Sequence, residues 1–353
     1  MREDSIVGCL IGMAVGDALG LPREGLSPRR ADRLFPDLNR YHLLFGRGMF
    51  SDDTEHACMT GQALLVSAGK SERFLRSLSH RLRWWLLGCP LSTGKATLKG
   101  CLKLWLGFNG KSSGVWSAGN GPAMRAPIIG VCFGHQPDRM RELVRLSTRI
   151  THRDPKAEWG ALALARAVHY AAQSSEQVPQ PAEAVRAIID ALPTEASELA
   201  ELIQRVGVSV QANQTTEAFT GQLGLSRGVT GYMFHTVPTV LHAWLCFPDD
   251  YRAAVQTAIR CGGDTDTTAG IVGALVGARS GKIGIPEPWR QGLCEWPRDL
   301  RWIERLGREL AKMLQDGKPR RGVPLSVVGI VPRNMIFNLT VLVHGLRRLL
   351  PPY

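Results

Sequence analysis

Two short stretches concentrate oxygen chemistry in this chain: Phe50-Ser51-Asp52-Asp53-Thr54-Glu55 and Cys261-Gly262-Gly263-Asp264-Thr265-Asp266-Thr267-Thr268. Each sets two aspartates among hydroxyls just ahead of a segment with helical patterning. Side chains two positions apart on a helix point to different faces. Asp264 and Asp266 can therefore converge only where a turn leads into the helix, and Gly262 and Gly263 permit one. Carboxylates held together repel, and a cation commonly neutralises them. Helix capping competes with this reading, since Asp and Thr are favoured N-caps and Asp52 followed by Glu55 fits a capping box. Capping needs one such residue per helix, whereas these stretches supply Ser51, Asp52, Asp53, Asp264, Asp266 and Thr267. An all-oxygen set of that kind suits Mg²⁺ or Mn²⁺ better than Zn²⁺.

Other candidates are weaker alone. Asp17 lies inside an apolar segment, where a lone carboxylate is costly to bury, so it calls for a polar partner. A structural hydrogen bond is the favoured role. Glu24 follows Leu21-Pro22-Arg23, a loop just past a helix, where functional carboxylates often sit. Gly119-Asn120-Gly121-Pro122 runs into a helix and exposes backbone N–H groups suited to a phosphate, although Asn-Gly is also a common turn. His152 stands beside another helix start, and Tyr232 follows Gly231 in a Gly/Thr-rich stretch.

The elements that must position these residues read as helices throughout. Residues 4–20 carry Gly8, Gly12, Gly16 and Gly20 at every fourth place, a smooth ridge that lets another helix approach closely. Ala269–Ala278 is small and aliphatic, as in a tightly packed buried helix. Further helical patterns span 54–67, 71–88, 95–107, 137–150, 156–172, 196–206, 233–247 and 249–260. Residues 173–198 read as a surface excursion around one short helix. Period-2 strand alternation is missing, as are G-x-G-x-x-G, P-loop, nucleophile-elbow and H-E-x-x-H patterns. The expected fold is all-α, with chemistry at helix ends. It divides into a main domain, 1–317, and a C-terminal helical extension, 318–353.

Composition bounds the rest. A chain of 353 residues can bury a large core. Its eight cysteines form no C-x-x-C pair, so a reducing, cytoplasmic setting is the expectation. The net charge of +12 points to an anionic substrate or partner. No single dense basic run marks a nucleic-acid tail. Ile6–Leu21 falls short of the ~20 apolar residues a membrane span requires. Val323–Leu346 is interrupted by Pro324, Pro332, Arg333, Asn334 and Asn338, which predicts a turn followed by a buried helix and no membrane segment.

Taken in order, the motifs resemble those of the ADP-ribosylglycohydrolase family. The matching stretches are Gly16-Asp17-Ala18-Leu19-Gly20, Ser51-Asp52-Asp53-Thr54, Gly119-Asn120-Gly121-Pro122-Ala123-Met124-Arg125, Thr151-His152, Gly231-Tyr232 and Gly262-Gly263-Asp264-Thr265-Asp266-Thr267. The resemblance implies a compact, orthogonal, multi-helix domain whose cleft holds two Mg²⁺ or Mn²⁺ ions. Ser51, Asp52, Asp53, Asp264, Asp266 and Thr267 would be the ligands, with Asp266 bridging. It further implies Glu24 near the substrate ribose, the Gly119-Asn120-Gly121 loop at the ribose and diphosphate, His152 in the distal pocket, and Tyr232 near the adenosine. The implied reaction is hydrolysis of the bond between ADP-ribose and an acceptor, most readily a protein side chain, with Asp53 or Glu24 moving a proton. His235 departs from the pattern, since many relatives carry an acidic residue after the Gly-Tyr pair. Alternatives are a non-catalytic ADP-ribose-binding or structural relative, or a hydrolase of ADP-ribosylated nucleic acid.

Overall fold

The computed structural model describes residues 3–91, 93–174 and 178–351, which hold seventeen α-helices and isolated bridges but no sheet. The N-terminal half contains α1 (Glu3–Gly20), α2 (Pro28–Leu34), α3 (Asp52–Ser67), α4 (Ser71–Trp85), α5 (Lys95–Trp105), α6 (Ala126–Phe133), α7 (Pro137–Arg149) and α8 (Pro155–Gln173). Then come α9 (Pro181–Ile189), α10 (Ser197–Gln211), α11 (Thr216–Gln222), α12 (Met233–Cys246) and α13 (Tyr251–Arg260). The chain ends with α14 (Thr265–Ser280), α15 (Glu287–Gly292), α16 (Leu300–Asp316) and α17 (Val327–Arg347). The short helix of the predicted surface excursion is α9. Residues 175–177 of that excursion and 352–353 of the extension lie outside the described residues.

Two helices without a polar face, α1 and α14, form the centre, and nearly every residue of each is buried. A helix apolar on all sides belongs inside a large core. The glycines set how near they come. A Cβ at Gly12 would lie 2.1 Å from the Gly273 carbonyl oxygen, one at Gly16 2.2 Å from that of Ala269, and one at Gly20 2.2 Å from that of Thr265. The register this imposes brings the end of α1 to the start of α14. Thr265 Oγ1 seals it by donating to Gly20 O at 2.8 Å. The loop after α1 and the second acidic stretch are thereby placed side by side.

The C-terminal extension differs from its expectation. Helix α17 forms, but it runs through Pro332 and is mostly exposed. Val328, Met335, Leu339, Leu342 and Leu346 face outward, while Arg333, Asn334, Phe337 and His344 face the protein. By length and composition, Glu3–Arg23 and Val327–Arg347 could each cross a membrane; the first is wholly buried within the fold.

Candidate active site

A cavity of about 500 Å³ opens where helix ends meet, and Asp52, Asp53, Asp264, Asp266 and Glu24 all line it. The first acidic stretch reaches it through Asp17. One Asp17 oxygen accepts from Ser51 N at 2.9 Å, and the other accepts from Thr54 N at 3.1 Å and Thr54 Oγ1 at 2.6 Å. These bonds satisfy donors at the N-terminus of α3 that the helix itself cannot. Ser51 is the N-cap, its hydroxyl accepting from Asp53 N at 3.2 Å. The capping-box reading therefore fails. Asp52 is already helical, and Glu55 turns into the core to meet Arg298 Nη1 and Trp85 Nε1, each at 2.5 Å. Both Asp52 and Asp53 are left to the cavity.

The second acidic stretch is built by backbone. Gly263 N donates to Leu26 O at 2.8 Å, Gly25 N to Gly263 O at 2.7 Å, and Asp264 N to Val229 O at 2.8 Å. Gly263 has φ +76, and a Cβ there would meet Val229 O at 2.0 Å, so both conformation and space demand glycine. Asp264 occupies the N-cap position of α14 but makes no side-chain cap bond. Its Oδ2 instead accepts from Asn120 Nδ2 at 2.5 Å, and the same amide reaches Thr236 Oγ1 at 2.9 Å. Thr267 lies beside the Asp53 carboxyl and lowers it against the larger effect of burial, so the two acidic stretches meet there.

Electrostatically the cavity is under strain. Burial pushes the carboxyls of Asp52, Asp53 and Asp266 well above the ordinary range, and repulsion from neighbouring carboxylates adds to it. Glu24 rises to about 7, first through burial and then through Asp264. Asp53 Oδ2 and Asp266 Oδ1 are buried with no hydrogen-bond partner. Such orphaned anionic oxygens are rare in native structures and fit a cation. Among the described residues, however, no three His, Cys, Asp or Glu side chains stand gathered as a metal-holding group.

Around the acids sit the other predicted residues. His152 packs beneath the 119–121 loop, where a Cβ at Gly121 would lie 2.9 Å from its Cε1. Its Nδ1 meets Thr151 Oγ1 at 2.8 Å, and burial with the nearby Arg125 lowers its pKa to about 3, leaving it neutral. Arg125 points into the core, bonding Ser147, Thr151 and His56. The 119–121 loop offers fewer donors than its sequence suggests. Gly119 N donates to Ser117 Oγ, Asn120 N to Gly231 O and Ala123 N to Asn120 O. Gly231 lines the cavity while Tyr232 stands off it, receiving Lys156 Nζ at 3.2 Å. His235 pairs with Thr230 Oγ1 at 2.8 Å. Sequence reasoning missed Lys95 and Thr97 on the cavity wall; a helix start after Thr93-Gly94 was the available signal.

The comparisons decide the family. The ADP-ribosylglycohydrolase family model matches residues 1–320. The chain belongs to that family. It is 27% identical over 295 residues to ADP-ribosyl-[dinitrogen reductase] glycohydrolase of Rhodospirillum rubrum, covering 81% of this chain and 89% of that one. It is 28% identical over 333 residues to ADP-ribosylhydrolase ARH3 of Homo sapiens, covering 82% and 88%. A solved ADP-ribosylglycohydrolase-related protein complex shares the fold, with a TM-score of 0.64 at 24% identity over 89% of this chain and 99% of that one. The protein is accordingly a hydrolase of a family that cleaves ADP-ribose glycosidic bonds and is generally metal-dependent.

Proposed function

We propose that this cavity removes ADP-ribose from a modified protein side chain, using Mg²⁺ or Mn²⁺ held by Ser51, Asp52, Asp53, Asp264, Asp266 and Thr267. The observation that carries the proposal is the meeting of two acidic helix starts in one cavity, with orphaned oxygens on Asp53 and Asp266. A volume of about 500 Å³ lies within the ordinary range for small-ligand sites. When bound, the metal pair supplies charge neutralisation and polarises water and ribose hydroxyls. The carboxylates stabilise positive character at the anomeric carbon as the glycosidic bond breaks. Glu24, raised to about 7, can hold or release a proton near neutrality, as a general acid or base must. Asp53 is the other residue placed to do so. Gly119, Asn120, Gly121 and His152 form the wall on which the nucleotide would lie, with Tyr232 beyond Gly231 at its far end.

The test is release of free ADP-ribose from arginine-, serine- and nucleobase-linked substrates, with Mg²⁺ and with chelator. Release from a protein side-chain linkage only in the presence of metal is expected. ADP-ribose binding without release from any of them would instead identify a non-catalytic relative.

A further inference from the structure

The segment beyond residue 320 lies outside the family match, yet it touches the site's scaffold at two places. At one end, Arg333 Nη2 donates to Phe50 O at 2.6 Å, and Arg333 is paired with Glu295 through Nη2 at 2.6 Å and Nε at 3.0 Å. Glu295 Oε1 in turn accepts from Phe50 N at 2.8 Å. Both backbone polar groups of the residue before Ser51 are thus held by one buried ion pair. At the other end, Arg348 spans the loop that carries Glu24. Its Nη2 donates to Pro22 O and its Nη1 to Glu24 O, each at 2.8 Å. His344 Nε2 lies 3.1 Å from Pro22 O, and its ring stacks on Phe35 at 4.8 Å. Arg30 bonds the Arg348 carbonyl.

A helix docked only for packing would bury its apolar side and leave its polar side to water. Helix α17 packs through Phe337 but otherwise inverts that pattern, exposing Leu339 and Leu342 while burying Arg333, Asn334 and His344. Burying cations is costly unless they are paired or hydrogen-bonded; Arg333 is paired with Glu295 and bonded to Phe50 O, and Arg348 is bonded to the carbonyls of Pro22 and Glu24, beside the acidic cavity. We propose that α17 braces the active site, and that Arg348 is a positioning residue that fixes the Glu24 loop. This rests on the hydrolase reading for its catalytic consequence, though not for its structural one. Arg348 touches no reacting atom; it acts through the backbone of Pro22 and Glu24 and through its charge, which lowers the Glu24 carboxyl against the larger effect of burial.

The test uses the full chain carrying Arg348→Ala, Arg348→Lys or Arg347→Ala. Arg347 is exposed, so its variant lowers the net charge equally without the two hydrogen bonds, while Arg348→Lys keeps the charge beside Glu24. Two readouts are taken: amide hydrogen exchange across 21–26 and 5–19, and steady-state release of ADP-ribose from whichever linkage the wild type cleaves. Arg348→Ala is expected to speed exchange at 21–26 and leave 5–19 unchanged. Misplacing Glu24 should lower kcat by about 10–100-fold with KM little altered. Arg348→Lys, with one donor group in place of a fork, restores part of both, and Arg347→Ala matches wild type. Unchanged exchange at 21–26 in Arg348→Ala overturns the brace. Equal losses in Arg347→Ala overturn it too, because net charge would then be the cause. If Arg348→Ala unfolds generally, Arg348→Lys carries the same comparison. A wild type inactive on every linkage refutes the hydrolase reading, while the exchange result still decides the brace.

Discussion

Asp53 and Asp266 each keep one buried carboxylate oxygen without a donor, and the chemistry of the site follows from that deficit. Their carboxyls, with that of Asp52, hold protons well above the ordinary carboxylate range, chiefly because they are buried. A metal binding there must displace those protons. Mg²⁺ affinity therefore rises with pH beyond the range in which exposed aspartates are already ionised, and binding releases protons. Calorimetric titration in buffers of different ionisation enthalpy measures both; affinity flat from pH 5 to pH 8 would count against the assignment. Asp17 acts one step back, holding Ser51 and Thr54. Asp17→Asn puts an amide donor where donors already point, and a loss of about 10–100-fold in metal affinity is the expected result. The aspartates were legible in the sequence because four of them crowd two helix starts. The role of Asp17 was legible only as a need for a partner, since nothing in its own segment names Ser51 or Thr54. Glu55 misled for the same reason: its partners, Trp85 and Arg298, are remote in the chain.

Helices α1 and α14 hold the site by the closeness of their backbones. Gly12→Ala would drive a methyl group into the Gly273 carbonyl, where no flexible side chain can yield. A destabilisation of at least about 1–3 kcal/mol is expected from such overpacking, seen as a lower denaturant midpoint. Gly221→Ala is the contrasting case. It lies in α11 with nothing near its added Cβ, and a gain of about 0.5–1 kcal/mol is expected from helix propensity. The every-fourth glycine spacing made the ridge on α1 visible in advance, and the small residues of 269–278 marked the other helix. That each is the partner of the other is a matter of tertiary packing, which periodicity does not encode. Helix α17 shows the converse error. Its apolar run read as a buried helix, but its few polar residues have the stronger claims on the protein: Arg333 on Phe50 and Glu295, His344 and Arg348 on the 22–24 loop.

Across the whole molecule, buried histidines and buried carboxyls pull stability in opposite directions with pH. Burial lowers His152 to about 3, and His169 and His242 to about 4, from an ordinary 6.5. Their contribution is complete above 6.5 and is lost as pH falls toward 4. Asp17 and Glu24, raised chiefly by burial to about 6 and about 7, contribute below the ordinary carboxylate range and lose that contribution as pH rises through 6 to 7. In chelator the two trends oppose each other. Bound Mg²⁺ adds stability that acid removes, so the denaturant midpoint falls more steeply from pH 7 to pH 5 in Mg²⁺ than in chelator. Parallel slopes would deny the link between metal and carboxylates. At this scale the all-α class and the family were readable from ordered motifs, each weak alone. The reach of the C-terminal segment back to the site was not, because its contacts join residues 283 to 326 positions apart in the chain.

The central claim is that two distant helix starts make one metal-dependent hydrolytic site. It is tested most directly by the rate of ADP-ribose release against Mg²⁺ concentration for wild type, Asp53→Ala and Asp266→Ala. Loss of about 10²-fold or more in both variants, unrecovered at saturating Mg²⁺, is the predicted result. Wild-type turnover in either one would show that the two halves do not work together.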